Sequence, residues 1–318
     1  EFSVNLKTSL WNRLITADAS FFINSMEGYL INQPTFYPSH LNTGYPAASF
    51  MVVMNYNNNK RVGFDFNINA NKRFGDVDLS LGVAGTYYDT KVTKRDEIYD
   101  DAYRYREGKA VDGIWGLQSA GLFRDKEDIE NSPEQKLGST VQPGDIKYVD
   151  QNGDNQINDA DLICFKKAAP DVFMGLTSQL SYKNWDFSFA LRGSFGNYVY
   201  NNVQSNREAY EGANMYDQTG FLKNRLTSAR STDFKNAQYR SSYYVQNASF
   251  VRMDNISLGY TFNKLFNDKQ SARVYATVQN PFVITKYKGL DPEISGEGID
   301  NNIYPRPRVF MIGLNLNF

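Results

Sequence analysis

Apolar and polar residues alternate strictly near the end of this chain. Between residues 308 and 318, every second side chain is apolar: Phe310, Ile312, Leu314, Leu316 and Phe318. The positions between them are mostly small or polar: Met311, Gly313, Asn315 and Asn317. Successive side chains of a strand point to opposite faces, so this segment predicts a strand with one apolar face and one largely polar face.

The same two-residue period recurs in earlier segments, which gives nine predicted strands. They lie at about residues 2–9, 15–23, 62–71, 77–83, 174–182, 185–192, 256–262, 274–278 and 308–318. A tilted strand needs roughly 9–11 residues to cross a bilayer, and several of these segments approach that length. Aromatic residues recur near their ends, as in the interfacial girdles of membrane barrels. These are Tyr87, Tyr88, Tyr182, Trp185, Tyr260 and Phe262.

Short and long connections alternate along the chain. Short turns are predicted near residues 11–13, 73–76, 183–184 and 263–270, and long connections at about 27–59, 92–171, 196–247 and 281–304. This alternation is typical of outer-membrane barrels, whose long loops lie outside the cell. The sequence therefore predicts an all-β fold, a transmembrane antiparallel β-barrel with long extracellular loops. Nine strands leave two unpaired edges, which lipid does not tolerate, so we expect them to be part of a larger barrel.

Composition excludes several other classes of protein. The 318 residues carry a formal net charge of −1, which gives no basic field for nucleic acid. The mean hydropathy is −0.53. The chain contains no run of about 18 apolar residues, which a membrane-spanning helix would need. Cys164 and His40 are the only residues of their types, which argues against Cys/His catalysis, a Ser-His-Asp triad or a zinc site. We predict that the chain is not an enzyme.

Three stretches closely resemble the C-terminal end of SusC/RagA-type TonB-dependent transporters: Ser249–Phe262, Ala272–Ser295 and Tyr304–Phe318. Gly144–Asp161, followed by Lys183–Phe187, is similar to the same family. These matches occur in the family's order and spread over more than half of the chain. The resemblance implies a plugged barrel of about 22 strands, of which residues 1–318 supply about the last nine.

The same resemblance implies a function and a set of partners. The function is energy-coupled import of oligosaccharides or peptides across the outer membrane. A SusD-like surface lipoprotein would cover the extracellular loops as a lid, and TonB would act through the N-terminal region. The chain opens inside a strand without an initiator Met, so we expect the plug domain, TonB-box and signal peptide to lie outside these residues.

One long connection contains a candidate calcium loop. Oxygen-bearing residues follow EF-hand spacing, with a backbone carbonyl expected from the fourth: Asp150, Asn152, Asp154, Gln156, Asn158 and Asp161. Two features depart from that pattern, because Asn155 replaces the usual glycine and Asp161 replaces the usual glutamate. The alternative is a solvated turn rich in Asp and Asn. In either case we expect the loop to stiffen an external connection.

Aromatic and amide residues in the long loops suit sugar rings or extended peptides. The candidates are Tyr198, Tyr200, Asn202, Tyr210, Tyr216, Tyr243 and Tyr244, and the alternative is that they only stabilise the loops.

On the polar face of the strands, the residues expected to face the lumen are Asp65, Asn67, Asp186 and Arg192. Asp254 has the parity of apolar Ile256 and Leu258, which predicts a bulge or a position above the membrane.

The final strand has a second predicted role, as a signal for the barrel-assembly machinery. Resemblance to outer-membrane proteins in general implies that this machinery recognises the last strand and its terminal aromatic residue. The residues concerned are Phe310, Leu314, Leu316 and Phe318. The alternative is that Phe318 only anchors the strand at the membrane interface.

Two other functions remain compatible with the residue pattern. One is a different outer-membrane barrel, such as a passive porin or an adhesin. The other is a soluble, calcium-bound, carbohydrate-binding β-protein. A plug domain and a TonB-box would distinguish the importer from the first, and extraction by detergent from the outer-membrane fraction would exclude the second.

Overall fold

The computed structural model describes residues 1–32, 53–138, 140–209, 240–263 and 270–317. Within these ranges the strands, in chain order, are β1 (Phe2–Leu10), β2 (Ile15–Asn32), β3 (Val53–Phe74), β4 (Val77–Lys94), β5 (Gly113–Gly116), β6 (Ser119–Leu122), β7 (Glu134–Gln135), β8 (Ile146–Tyr148), β9 (Gln156–Ile157), β10 (Ile163–Lys167), β11 (Val172–Tyr182), β12 (Trp185–Phe195), β13 (Tyr198–Tyr200), β14 (Val245–Asn247), β15 (Phe250–Asn263), β16 (Ser271–Gln279), β17 (Val283–Thr285) and β18 (Val309–Asn317). The α-helices are α1 (Lys126–Glu130) and α2 (Asn202–Ala209). Short 3-10 turns cover Ala102–Arg104, Asp159–Asp161 and Ser242–Tyr244. No helix in the described ranges is long and apolar enough to cross a membrane.

Nine strands form one antiparallel sheet in the order β1-β2-β3-β4-β11-β12-β15-β16-β18, and β17 pairs with β15 beside this path. These are the nine strands that the alternation predicts. Each predicted short turn that the structure describes joins neighbouring strands, and the long connections lie between the remaining neighbours. The sheet is therefore the wall of a membrane barrel, and it is not closed within the described residues, because β1 and β18 remain its two edges.

One face of the sheet is apolar from edge to edge. The register places Leu6 beside Ala19, Ala19 beside Phe66, and Val274 beside Leu314 at the far edge. Ile312 and Phe310 at this far edge are 86% and 73% exposed, and they belong to a contiguous apolar surface that crosses the sheet, which marks a face in contact with something other than water. The aromatic rings of Trp185, Tyr260 and Phe262 stack edge-on near the short turns, with neighbouring ring centroids 4.8 and 4.7 Å apart. This is the interfacial girdle of a lipid-facing surface.

Several strands extend well beyond the membrane. β3 has 22 residues, and β2 and β4 have 18 each, against the roughly 9–11 that a bilayer requires. The prediction of a connection at about residues 27–59 was wrong at both ends, since β2 continues to Asn32 and β3 begins at Val53. The extension has register shifts between Met26 and Leu30 and no apolar alternation, because above the lipid neither face needs to be apolar.

A bulge lies at Asp254, which is one of the two explanations that the sequence allowed for the parity of this residue. The pairing of β12 with β15 shifts between Ala190, which pairs with Asn255, and Leu191, which pairs with Met253. Asp254 is the extra residue, and its carboxylate accepts a hydrogen bond from Arg192 on the polar face. The shift returns the apolar residues on both sides of Asp254 to the lipid face.

The long connections pack together above one end of the sheet. We call the residues 95–138, 140–171, 196–209, 240–249 and 280–308 the loop assembly. Its main apolar core consists of Leu117, Leu137, Ile146, Tyr148, Ile157, Tyr200 and Tyr244, and a second core contains Val199, Ala248 and Tyr287. Most of the buried apolar residues described belong to the loop assembly, since the sheet exposes its apolar face to lipid. The connections are thus a folded unit.

Candidate functional site

The polar face of the sheet carries the residues predicted to face the lumen. Asp65 lies between Ser20 and Thr86 on neighbouring strands. Asn67 lies between Asp18 and Ala84 in the next row of that face. These side chains line a shallow depression of about 190 Å³ together with residues of β1, β2 and β4. The structure therefore puts Asp65 and Asn67 on the hydrophilic wall, and a role in a transport path stays a prediction.

Arg192 is the centre of an ion-pair network between β12, β15 and the last long connection. Its guanidinium donates two hydrogen bonds to the carboxylate of Glu293, at 2.6 and 2.9 Å. A third bond, of 2.7 Å, goes to the Oδ1 atom of Asp254. Such a forked pair fixes both the position and the plane of the two groups. The network therefore fixes Glu293, in the connection 280–308, against the sheet wall.

Arg252 extends this network into the interior. Its guanidinium donates a 2.7 Å bond to Asp291, and both side chains are only 4% exposed. Its Nε atom lies 3.7 Å from Glu293 without a hydrogen-bond partner in the described structure. Arg306 closes the cluster from the solvent side, 2.8 Å from Glu293. We call these six residues the loop anchor: Arg192, Arg252, Asp254, Asp291, Glu293 and Arg306.

The loop anchor keeps Glu293 ionised. Burial raises the pKa of this carboxyl group, but the hydrogen bonds and charges of Arg192 and Arg306 outweigh burial and lower the pKa below its ordinary value. The sequence predicted only Arg192 as a functional residue, from its place on the polar face. Nothing in the local pattern indicated its partners, because Glu293 is 101 positions away.

A second ion pair lies on the polar face, close to the short turns. Arg273 on β16 donates two hydrogen bonds to Asp186 on β12, at 2.9 and 2.5 Å, across the intervening strand β15. Gly259 lies between them, and a Cβ atom there would approach Asp186 to 2.5 Å and Arg273 to 2.7 Å. A side chain at this position would displace both charged groups from their present positions. Asp186, predicted to face the lumen, is thus on the predicted face and already paired.

The structure separates the candidate substrate residues into two groups. Tyr200 and Tyr244 are 5% and 1% exposed, stack edge-on at 6.1 Å, and belong to the main core of the loop assembly. In this arrangement their rings pack against protein, so the structural alternative accounts for both. Tyr198, Asn202 and Tyr243 are half-buried, and the Asn202 amide donates a 2.6 Å bond to Asn301. Tyr210 and Tyr216 lie outside the described residues.

Two tyrosines, buried Tyr287 and half-buried Tyr103, also stabilise the loop assembly. Tyr287 donates a 2.6 Å hydrogen bond to Asp300, which is 2% exposed. Burial, followed by that hydrogen bond and the charge of Asp300, raises the pKa of Tyr287, so the phenol remains a donor. Tyr103 donates to the carbonyl of Ala160, and burial together with the charges of Asp101 and Asp161 raises its pKa to about 12.

The candidate calcium loop is wrapped by its own backbone. The Asp150 carboxylate accepts hydrogen bonds from the amides of Gly153 and Asn155, at 2.7 and 2.8 Å. Asp161, fully buried, accepts from the amides of Gln151 and Asn158, each at 2.8 Å. Asn155 has φ of 65°, the left-handed conformation that the sixth position of an EF-hand loop requires.

These contacts do not decide between the two interpretations of the loop. Each carboxylate oxygen keeps a second lone pair that a cation can use. Asn152 and Asp154 accept backbone amide bonds at 3.0 and 2.8 Å, and Asn158 does so at 2.7 Å, while Gln156 pairs in β9. Over the part of the chain that the structure describes, no three His, Cys, Asp or Glu side chains converge as metal ligands. Calcium binding stays a prediction.

The final strand occupies one edge of the sheet. β18 pairs with β16 from Val309 to Asn317, and its apolar residues Phe310, Leu314 and Leu316 are 73%, 58% and 52% exposed. Phe318 lies outside the described residues. The placement fits a lipid-facing strand, and recognition by the assembly machinery stays a prediction.

Comparisons with known proteins agree with this geometry. The TonB-dependent receptor SusC of Bacteroides thetaiotaomicron is 44% identical over 189 residues, which are 58% of this chain and 19% of that protein. The TonB-dependent receptor P39 of Formosa agariphila is 30% identical over 279 residues, covering 72% of this chain and 27% of that protein. A search of protein-family profiles finds no match.

The curated relatives identify the type of receptor, and the sheet supports that type through its fold. It superposes on a solved structure of the RagAB peptide transporter with a TM-score of 0.70 and 20% identity, covering 99% of this chain and 35% of that one. The chain belongs to the SusC/RagA type of TonB-dependent receptor. It is an outer-membrane protein, and its strands are part of a transmembrane β-barrel.

The SusC/RagA-type chain described here spans about a fifth to a quarter of the length of its curated relatives. These relatives are named as receptors and the solved structure as a transporter, which is consistent with the prediction that the chain is not an enzyme. These residues alone therefore do not establish the activity of the whole protein.

Proposed function

We propose that the protein containing this chain imports oligosaccharides or peptides across the outer membrane. The observation that carries the proposal is the sheet, with one face apolar from edge to edge and the other lined by rows of polar side chains. Such a wall separates lipid from a hydrated interior. The relatives named as TonB-dependent receptors support active uptake, and the peptide transporter in the fold comparison supports a polymeric nutrient.

The partners follow from the same proposal. TonB supplies the energy through the N-terminal region, and a SusD-like surface lipoprotein closes over the external end of the barrel. The loop assembly supports this arrangement, because folded loops with their own apolar cores offer a lid a defined surface to contact. The half-buried Tyr198 and Tyr243 are the candidates that remain accessible for contact with cargo.

Growth on single nutrients tests the proposal. A strain lacking the full-length gene is grown on separate oligosaccharides and peptides, and the gene is then restored in strains with and without TonB. We expect one nutrient class to support growth only when both the gene and TonB are present. A passive porin would restore growth without TonB, and an adhesin would leave growth on every nutrient unchanged.

We also propose that the barrel-assembly machinery recognises β18 through its exposed apolar edge. Removal of the terminal Phe318 should then slow assembly, because the strand loses the aromatic residue at its end. Pulse-labelled surface appearance of the full-length protein measures this. Normal kinetics after the deletion would reduce Phe318 to an interfacial anchor.

A further inference from the structure

Two lysines face each other on the membrane side of the sheet, at its external end. Lys60 on β3 pairs directly with Lys91 on β4, so their Cβ atoms are about 5 Å apart. Lys60 continues the apolar row Val62, Phe64, Phe66, Ile68 and Ala70, and it therefore points to the lipid side. Like charges placed directly opposite each other destabilise a strand pair. The fold keeps this unfavourable pair on an exposed surface.

The carboxylates nearby do not neutralise both lysines. Asp89 lies 3.4 Å from Lys91 and 3.3 Å from Lys167, whose ammonium group also lies 2.6 Å from Asp171. Lys60 forms no ion pair within the residues that the structure describes, and its neighbour on the other side is Ser25. Within the described residues, Lys60 therefore has no carboxylate partner, whereas Lys91 shares Asp89 with Lys167.

The height of the lysines matches the headgroup layer. From Val62 to Ala70 the apolar row measures about 26 Å along the strand, or about 20 Å along the membrane normal at a tilt of about 40°. Lys60 lies immediately above this band, and Lys72 lies immediately below it on the same strand and face. The long connections mark the end of Lys60 as external. Lys60 and Lys91 thus stand where the headgroups of the outer leaflet lie.

The surface around the lysines is concave. A cavity of about 530 Å³ is lined by Lys60 and Val62 of β3, by Tyr87, Asp89, Lys91, Val92 and Thr93 of β4, and by Glu107 and Gly108 of the adjoining loop. Val62 and Tyr87 form its lower, apolar wall, which continues into the lipid-facing surface. The cavity therefore offers two ammonium groups, beside the carboxylates of Asp89 and Glu107, and apolar contact below.

We propose that Lys60 and Lys91 bind a phosphate group in the headgroup of an outer-leaflet glycolipid. Two ammonium groups directly across a strand pair can share one phosphate monoester, and the bound anion relieves their repulsion. The acyl chains of the same molecule pack against the apolar row below Lys60. The occupant is thus a membrane lipid, distinct from the cargo that crosses on the opposite face of the sheet.

Lipid titration of the full-length protein tests this proposal. The protein, delipidated in non-ionic detergent, is titrated with a diphosphorylated glycolipid, with the same glycolipid after enzymatic removal of its phosphates, and with inorganic phosphate, and bound lipid is counted by native mass spectrometry. We expect the phosphorylated glycolipid alone to be retained. Equal retention of the dephosphorylated lipid, or displacement of the lipid by equimolar inorganic phosphate, would overturn the proposal. This arm needs no variant.

Variants locate the site. We expect Lys60→Gln and Lys91→Gln each to weaken retention about fivefold, and the double variant about thirtyfold. Lys72→Gln is the matched control, since it removes the lysine at the other end of the same row. It should leave retention of the phosphorylated glycolipid unchanged. Glu107→Gln removes a carboxylate from the cavity wall and should strengthen retention. A loss with Lys72→Gln equal to that with Lys60→Gln would mean nonspecific attraction and would refute the site.

Discussion

At the scale of single residues, the loop anchor combines buried and exposed charges. Arg252 and Asp291 are each 4% exposed, whereas Arg306 is 41% exposed. Burying an ion pair costs desolvation that its attraction only partly offsets, so such pairs contribute more to geometry than to net stability. Removal of one partner is different, because it leaves the other charge buried alone. The anchor therefore fixes where residues 280–308 lie.

The first prediction concerns Arg252→Met in the full-length protein. The substitution approximately keeps the volume of the side chain but leaves Asp291 buried with only Arg306, 3.9 Å away, as a cationic neighbour, which costs up to about 3–5 kcal/mol. We expect the free energy of opening that hydrogen exchange reports for the amides of residues 286–300 to fall by that amount. The exchange of the strand amides should not change. Arg306→Gln is the control and should cost at most about 1 kcal/mol, because its guanidinium is solvated. Equal effects of the two variants would contradict the anchor.

The second prediction concerns acid. The folded pKa of Glu293 is lowered, so its contribution is present above the unfolded pKa of about 4.3 and is lost as the pH falls through the folded value. We expect proteolysis of residues 286–300 to increase below about pH 4. Glu293→Gln should remove most of this pH dependence and be already more susceptible at neutral pH. A pH profile identical in the two proteins would show that other groups control the loop.

At the scale of elements, the sequence predicted what depends on neighbours along the chain. The alternation between Val62 and Ala70 identifies β3, and the awkward parity of Asp254 identifies its bulge. It did not predict that β3 continues back to Val53, because outside lipid the apolar period has no physical cause. It also missed that Leu117 and Tyr244 share a core, since contacts between distant loops leave no periodic pattern.

The third prediction belongs to the connection that contains residues 150–161. If this loop binds calcium, a chelator should accelerate proteolysis within residues 145–170 and leave the barrel folded. Asp154→Ala should give the same acceleration without the chelator, because it removes a cation ligand and two hydrogen bonds, from the backbone amide of Gln156 and the side-chain amide of Asn152. Unchanged proteolysis in chelator would favour the solvated turn, already closed by the bonds of Asp150 and Asp161.

At the scale of the whole molecule, the described chain has two different interiors. The sheet is covered by lipid on one face, whereas the loop assembly is stabilised by buried apolar cores of its own. The sequence predicted the first from alternation and could not predict the second, in which Tyr200 and Tyr244 are buried against protein. The proposals for import and for lipid binding both depend on the assignment of the two faces of the sheet.

That assignment is tested most directly by spin labels in the full-length protein in bilayers. Labels replace Phe66 and Leu314 on the apolar face and Asn67 and Asn315 on the polar face, and collisions with oxygen and with a water-soluble nickel chelate are compared. The labels at Phe66 and Leu314 should collide preferentially with oxygen, and those at Asn67 and Asn315 with the chelate. The reverse pattern, with the asparagine positions in hydrocarbon, would contradict the account.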